Sequence, residues 1–221
     1  MLRVGNDIVD LRLPPAKRKS KDIRFLKRTF LPEEEQYILA DIQPDAMLWA
    51  FWSGKEAAYK AIQKDCPDVP SIPRYYNITI EREKQEAGKS PVHQGERILF
   101  GTVETPQGNI PLEIRITSQF VHCIAASAPP IEGSGIVWQV RRMPRTTRLS
   151  AIYESLFVRE AVTKHIYRHH QSSTRAIEIR RHKGPRGLGP PILYIQDEVA
   201  AIDVSLSHDG RFAAYVFTTL P

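Results

Sequence analysis

Three segments of the chain place acidic, basic or hydroxyl side chains beside apolar residues, where a charged group needs a partner. The first is Gly5-Asn6-Asp7, within a segment that has the pattern of a buried strand. The second carries Glu56 and Lys60 four residues apart, so both project from one face of a helix. The third is Ser207-His208, at the predicted end of a strand, where polar groups meet solvent and ligands.

Each segment also has an ordinary structural interpretation. Asp7 and Asp10 could lie on exposed pleats or cap a turn. Glu56 and Lys60 could form a helix ion pair that contributes about 0.3–0.5 kcal/mol, although the surrounding aromatic residues indicate a partly enclosed position. His208 could be a surface histidine, because a serine and a histidine that are neighbours in sequence form a dyad only if they meet in space.

A fourth segment, residues 180–191, combines cations with glycine and proline, which predicts a stiff, open loop that attracts anions. A solvated basic loop is the alternative. Its candidate binding residues are Arg181, Lys183, Arg186, Gly189, Pro190 and Pro191. The formal net charge of +6 and the basic runs at residues 17–21 and 141–148 also indicate an anionic partner. Charge alone does not distinguish nucleic acid from a phosphate-rich cofactor with an acidic protein.

The elements that must position these residues predict an α+β fold, with helices packed on small antiparallel sheets. In the first half we expect a strand over residues 4–11, helices from residue 31 and over 45–64, and alternating segments near 75–82, 96–104 and 109–127. In the second half we expect a strand near 135–142, a helix near 147–169, and strands near 175–182, 191–196, 201–206 and 211–218.

The order of elements recurs, which predicts a pseudo-dimer of two similar lobes. A proline- and glycine-rich linker at residues 128–135 separates an N-terminal lobe, 1–130, from a C-terminal lobe, 131–221. The spacing between matched segments shrinks along the chain, as shorter loops in the second copy would cause. The matches are KEAAYKAI (55–62) with REAVTKHI (159–166), ITIER (78–82) with IEIRR (177–181), and FVHCIAAS (120–127) with FAAYVFTT (212–219).

Together the motifs resemble those of the 4'-phosphopantetheinyl transferases. Members of that family carry a GxD strand, a WxxKEAxxK helix and an SxSH segment ahead of an apolar strand; this chain has GND, WSGKEAAYK and SLSH. The resemblance implies a magnesium-dependent enzyme that transfers the phosphopantetheine arm of coenzyme A to a serine of an acyl or peptidyl carrier protein. The second product would be 3',5'-ADP, and the carrier would serve fatty acid or polyketide biosynthesis.

The resemblance also implies roles for individual residues. Asp7 and Glu56 would bind Mg²⁺, and Lys60, Ser207 and His208 would bind coenzyme A. The glycine-proline loop would border the adenine and the 3'-phosphate. Either Glu56 or a metal-bound water would take the proton of the serine hydroxyl.

Two departures from the family pattern affect the expected assembly. Larger, surfactin-type members have a glutamate two residues after the motif aspartate, where this chain has Val9, as in the small holo-acyl-carrier-protein synthases. The motif order also matches those trimeric synthases, whereas the length matches the two-lobed type. The N-terminal lobe lacks SLSH and the C-terminal lobe lacks an acid equivalent to Asp7, so one site would form between the lobes of a monomer.

Other classes of protein fit the sequence less well. Nucleic-acid binding is the main alternative, but the chain has no RRM, KH or zinc-finger motif. A second alternative is a non-catalytic homologue that still binds carrier proteins. The chain keeps all the acids and cations of the motifs, which argues against this alternative. Cys66 and Cys123 lack metal-site or disulfide spacing, so free thiols are expected. The apolar runs are too short to cross a bilayer, and the start has no export signal, so we expect a cytoplasmic protein without a membrane partner.

Overall fold

The computed structural model describes residues 1–86, 95–128, 135–144, 151–169, 176–184 and 187–219. This part of the chain is α+β, as predicted, with antiparallel sheets throughout. The first half contains β1 (Val4–Asp10), α1 (Ile23–Thr29), α2 (Pro32–Ala40), α3 (Pro44–Ile62), β2 (Asn77–Glu86), β3 (Glu96–Thr105), β4 (Gly108–Ile116) and β5 (Phe120–Ala126). The second half contains β6 (Ile136–Arg142), α4 (Ala151–His169), β7 (Ile177–Arg180), β8 (Lys183–Gly184), β9 (Gly187–Leu188), β10 (Ile192–Ile195), β11 (Glu198–Val199), β12 (Val204–Asp209) and β13 (Phe212–Thr218).

Helix α3 forms the centre of the first half. It begins with Pro44 and has Asp45 in its first turn, both favourable at a helix start. Its apolar face packs on the sheet whose strand order is β1-β5-β4-β3-β2. Strand β1 lies directly against the helix at Gly5, where an added Cβ would be only 1.9 Å from the carbonyl oxygen of Ala57. Only glycine allows this approach, which brings the acid of the GND segment to α3.

The second half has two three-stranded sheets, ordered β12-β13-β6 and β11-β10-β7, with the short pair β8-β9 beside them. Helix α4 packs on β12, β13 and β7, and a second apolar core lies between them. The two halves meet where β1 and β5 pack against β6 and β13. Buried residues at that contact include Ile8, Phe120, Val140, Phe212 and Ala214.

Strand β12 closes the open edge of β1 with side chains rather than with a backbone ladder. The backbone N–H groups of Val4 and Asn6 donate to Asp203 Oδ2 at 2.7 Å and Ser205 Oγ at 3.0 Å. Farther along, the N–H of Asp10 donates to Asp209 Oδ2 at 2.7 Å. Alternate residues of one strand therefore satisfy the donors of the other, which fixes the register of β12 against β1.

The structure departs from the sequence predictions in a few places. Helix α1 was not predicted, and the single segment predicted over 109–127 is two strands, β4 and β5, joined by a turn at residues 117–119. Most of the predicted linker, residues 129–134 with the lobe boundary, lies outside the described residues. The start of the predicted helix at 147–150 also lies outside them. Both cysteines are free, as expected. No helix in the described part of the chain is long and apolar enough to span a membrane.

Candidate active site

Residues from both halves line one cleft of about 420 Å³. Strand β1 and helix α3 form one wall, and β12, α4 and the glycine-proline loop form the other. Most of the predicted site residues lie here, although they come from four distant parts of the sequence. These lining residues are Asp7, Glu56, Lys60, Arg181, Pro190, Pro191, Ser207 and His208.

The lysine of the helix motif pairs with the acid of the strand motif. Lys60 Nζ donates to Asp7 Oδ1 at 2.7 Å and to the carbonyl oxygen of Asn6 at 3.1 Å. Within the described part of the chain, Lys60 forms no ion pair with Glu56, so the simple helix ion pair considered as an alternative is absent. The exposed-pleat interpretation of Asp7 and Asp10 is also wrong. Asp10 is fully buried and is held by Arg211 on the β12-β13 turn.

Glu56 has no hydrogen-bond or ion-pair partner among the described residues. Burial raises the pKa of its carboxyl group and the neighbouring Asp7 raises it further, while Lys60 opposes them. The ionised form is therefore under-compensated in this cleft, and a cation beside it would favour that form.

The two carboxylates fit a hard divalent cation. Mg²⁺ prefers oxygen ligands and commonly uses one or two carboxylates while it keeps several waters. The described residues contain no group of three or more His, Cys, Asp or Glu side chains that could hold a metal, so a metal here would depend on Asp7 and Glu56. Val9, the position considered for a third ligand, is buried, and its side chain has no ligand atom.

The second half contains an internal comparison for this arrangement. Glu160 and Lys164 on α4 match Glu56 and Lys60 on α3, and they form an ordinary ion pair with both side chains 64% exposed. The hydrogen bond from Lys164 lowers the pKa of Glu160, opposite in direction to the shift of Glu56. Similar helix sequences thus differ electrostatically because Lys60 pairs with Asp7 of β1, whereas Lys164 pairs with the glutamate of its own helix.

The SLSH segment approaches the cleft from β12. Ser207 Oγ accepts a hydrogen bond of 2.9 Å from the side-chain Nδ2 of Asn6, which is fully buried in the GND strand. His208 lines the cleft, and its Nδ1 lies 3.0 Å from Glu154 Oε2 in the first turn of α4. The two neighbouring residues of this segment therefore have partners in different halves of the molecule.

The glycine-proline loop is more ordered than predicted. In place of an open loop, Lys183 and Gly184 pair with Leu188 and Gly187 in a short hairpin. The guanidinium of Arg181 donates to the carbonyl oxygen of Gly189 at 2.6 Å, which joins the two ends of the hairpin. Burial and, to a smaller extent, another cation, Arg159, lower the pKa of Arg181.

Other predicted loop residues lie next to the cleft. Lys183 and Gly189 line an adjoining pocket of about 630 Å³, which shares Tyr59 and Pro190 with the cleft. Arg186 lies outside the described residues. The loop therefore brings cations to two connected spaces, although the backbone contacts of Arg181 already occupy part of its donor capacity.

Comparison with known proteins agrees with the motif analysis over the first half. Residues 3–96 match the family model of the 4'-phosphopantetheinyl transferase superfamily. This match spans both the GND strand and the WSGKEAAYK helix, so the predicted resemblance is confirmed. No curated protein matches the sequence. The SLSH strand and the basic hairpin lie beyond the matched residues, and the structure brings them to the same cleft as the transferase-family motifs.

Several residues around the transferase motifs were not predicted from the sequence. Asn6 connects all three motifs, because its backbone contacts Ser205 and Lys60 while its side chain contacts Ser207. Glu154 contacts His208, and Arg159 adds a cation to the cleft wall. Of these residues, only Asn6 could have been noticed in the sequence. It places an amide inside a predicted buried strand, and a buried amide needs a hydrogen-bond partner.

Proposed function

We propose that the protein transfers 4'-phosphopantetheine from coenzyme A to a serine of an acyl or peptidyl carrier protein and releases 3',5'-ADP. The main support is the cleft, where two carboxylates, one of them unpaired, lie beside cations contributed by both halves. Such a site suits a polyanionic substrate and a cation that bridges it to the protein. The match of the first half to the transferase superfamily supports the same conclusion.

The residues of the cleft divide into two groups by charge. Asp7 and Glu56 would hold Mg²⁺, which, when bound, neutralises pyrophosphate oxygens and makes the attacked phosphorus more electrophilic. Lys60, Arg181 and His208 would bind the anionic parts of coenzyme A, and Ser207 can donate its hydroxyl because it already accepts from Asn6.

The reaction requires one bond to form and one to break. The carrier serine oxygen bonds to the phosphorus that bears pantetheine, and the bond from that phosphorus to the bridging pyrophosphate oxygen breaks, so 3',5'-ADP leaves with the electron pair. The serine hydroxyl must also lose its proton. Glu56, which has no hydrogen-bond or ion-pair partner among the described residues, and a water in the cleft are the two candidate acceptors.

We also propose that the two lobes, residues 1–130 and 131–221, are copies of one unit and that one complete site forms within a monomer. The strand order β1-β5-β4-β3-β2 corresponds to β6-β13-β12 followed by β10-β7, with a break between β12 and β10. The repeated sequence segments fall on α3 and α4, β2 and β7, and β5 and β13. Matched residues Lys55 and Arg159 each donate to a backbone carbonyl, of Tyr76 and Ile179, at or beside the first strand after the helix.

The direct test is to incubate the protein with coenzyme A, Mg²⁺ and a panel of carrier proteins that lack the arm, and then to weigh the carriers. We expect one carrier or more to gain the mass of a single phosphopantetheine, and the gain to require Mg²⁺ and the acceptor serine. Binding of a carrier without a mass gain would favour the non-catalytic homologue. Failure to bind coenzyme A or any carrier would refute the proposal.

A further inference from the structure

The partner of His208 is an acid that no family motif contains. Glu154 lies in the first turn of α4, and its Oε2 is 3.0 Å from His208 Nδ1. The side chain of His208 is 31% exposed and lines the cleft, whereas that of Glu154 is 17% exposed and is not among the lining residues. Glu154 therefore lies behind the histidine as seen from the cleft.

This contact determines which ring nitrogen of His208 is available to a ligand. A carboxylate can only accept a hydrogen bond, so an ionised Glu154 at 3.0 Å favours the form of the ring in which Nδ1 carries a proton. The two ring nitrogens point in different directions, and the partner of one sets the role of the other. With Nδ1 directed to α4, Nε2 is the nitrogen left for a group bound in the cleft.

Glu154 has no other hydrogen bond or ion pair among the described residues. It also has no equivalent in the other copy, since Ala50 is the residue of α3 at the matched position. The acid is thus not needed by the repeated scaffold. An acid in the first turn of a helix can stabilise the helix N-terminus, so a purely structural role is the interpretation that an experiment must exclude.

We propose that Glu154 is a positioning residue, which holds the His208 ring with Nδ1–H towards α4 and Nε2 towards a phosphate group of the bound nucleotide. This inference rests on the proposed function for the identity of that ligand. The contact itself belongs to the protein without ligand, and it can therefore be tested separately.

The first test is NMR of the wild-type protein labelled with ¹⁵N-histidine. The spectrum of a His208→Ala variant assigns the His208 signals, and long-range ring correlations show which nitrogens carry protons. We expect a protonated Nδ1 in the wild type and a changed pattern in Glu154→Gln. A wild-type His208 with an unprotonated Nδ1 would overturn the inference, whatever the protein binds.

The second test is a double-mutant cycle measured by calorimetric titration of coenzyme A. Loss of the charged partner of His208 should weaken binding about tenfold in Glu154→Gln. In the His208→Ala background the same change should have an effect of less than about twofold, because Glu154 acts through the histidine. Equal losses of affinity in both backgrounds would mean that Glu154 acts independently of His208, by stabilising α4 or through the overall charge of the cleft. That result would refute the positioning role.

A matched control is available on the same helix. Glu160→Gln removes an exposed acid without contact to the cleft, and it should leave both the His208 signals and the affinity for coenzyme A unchanged. If the wild type neither binds coenzyme A nor modifies a carrier, the proposed function fails, while the NMR result still decides the contact. If the wild type binds and Glu154→Gln binds equally well, only the positioning role fails.

Discussion

Replacing Glu56 with glutamine should abolish transferase activity without lowering the stability of the fold. In the protein without metal, the ionised carboxylate is half-buried beside Asp7 and has no partner among the described residues. Glutamine has nearly the same shape and no charge. We therefore expect Glu56→Gln to fold at least as stably as the wild type in EDTA at neutral pH, and to lose transferase activity.

The pH dependence of that comparison has a definite sign. Because the folded pKa of Glu56 is raised, the folded state binds its proton more tightly than the unfolded state does. Its contribution to stability is fully present below the unfolded pKa, about 4.3, and is lost as the pH rises through the folded pKa. Without metal, the wild type should lose stability relative to Glu56→Gln as the pH rises from about 4 to neutral.

Magnesium should reverse the order of stability. At one hundred times its dissociation constant, a ligand that binds only the folded state stabilises it by about 2.7 kcal/mol. For a chain of this size, each kcal/mol corresponds to about 2–4 °C in Tm, so the wild type should gain roughly 5–11 °C. Glu56→Gln, which lacks one of the two carboxylates, should gain much less. Its turnover should fall by at least about a hundredfold, as expected for loss of a group that stabilises charge in the transition state.

The assay combines thermal unfolding in EDTA and in Mg²⁺ with mass measurement of the carrier protein. Glu160→Gln is the matched control, because it makes the same chemical change at the equivalent helix position, where the acid is exposed and paired. It should retain the magnesium response and the turnover of the wild type. Near wild-type turnover of Glu56→Gln at saturating Mg²⁺ would refute the assignment of Glu56, and an equal magnesium shift would exclude it as a metal ligand.

Three further predictions concern the stability of the contact between the two halves, the binding of the coenzyme A nucleotide and the oligomeric state. Lys64→Met should lower the free energy of unfolding in urea by about 1–3 kcal/mol, because it removes the lysine that joins the buried Asp203 to Val4 while Arg3 still contacts Asp203. A loss below about 0.5 kcal/mol would contradict this. Replacing Arg181 or Lys183 with alanine should lower the affinity for coenzyme A about tenfold to a hundredfold more than the affinity for 3'-dephospho-coenzyme A, as measured by calorimetry. Equal losses for the two ligands would mean that these cations contribute only to the general positive potential of the cleft. Sedimentation should show a monomer, and mixed Glu56→Gln and His208→Ala chains should stay inactive; recovered activity in a trimer would place the site between subunits.

Most of the fold could be predicted because its main elements are long enough to show a period. The pattern over residues 45–64 predicted α3 within two residues at each end. Helix α1 has only seven residues, and β8 and β9 have two each, too few to distinguish a helix or strand from a loop by pattern. The turn between β4 and β5 was missed because both flanking strands are apolar and the segment between them contains neither glycine nor proline.

The site residues that belong to short sequence motifs could be predicted. Asp7, Glu56 and His208 each belong to such a motif, and the structure brings all three to one cleft. Asn6 and Glu154 could not be assigned partners, because their contacts join strands and helices far apart in sequence. Those contacts depend on the register of β12 against β1 and on the packing of α4, which no local pattern encodes.

The helix motif by itself does not create the electrostatics of the cleft. The segments KEAAYK and REAVTK place Glu and Lys at the same spacing, yet the pKa of Glu56 is raised and that of Glu160 is lowered. The difference arises from the strand next to each helix. Gly5 allows β1 to approach α3 so closely that Asp7, and not Glu56, forms the ion pair with Lys60. In the second half, β6 begins Ile136-Val137-Trp138 and contains no acid, and Lys164 pairs with Glu160. The acid of β1 therefore leaves Glu56 without the lysine partner that Glu160 has, and this is the basis of the role proposed for Glu56 as a cation ligand.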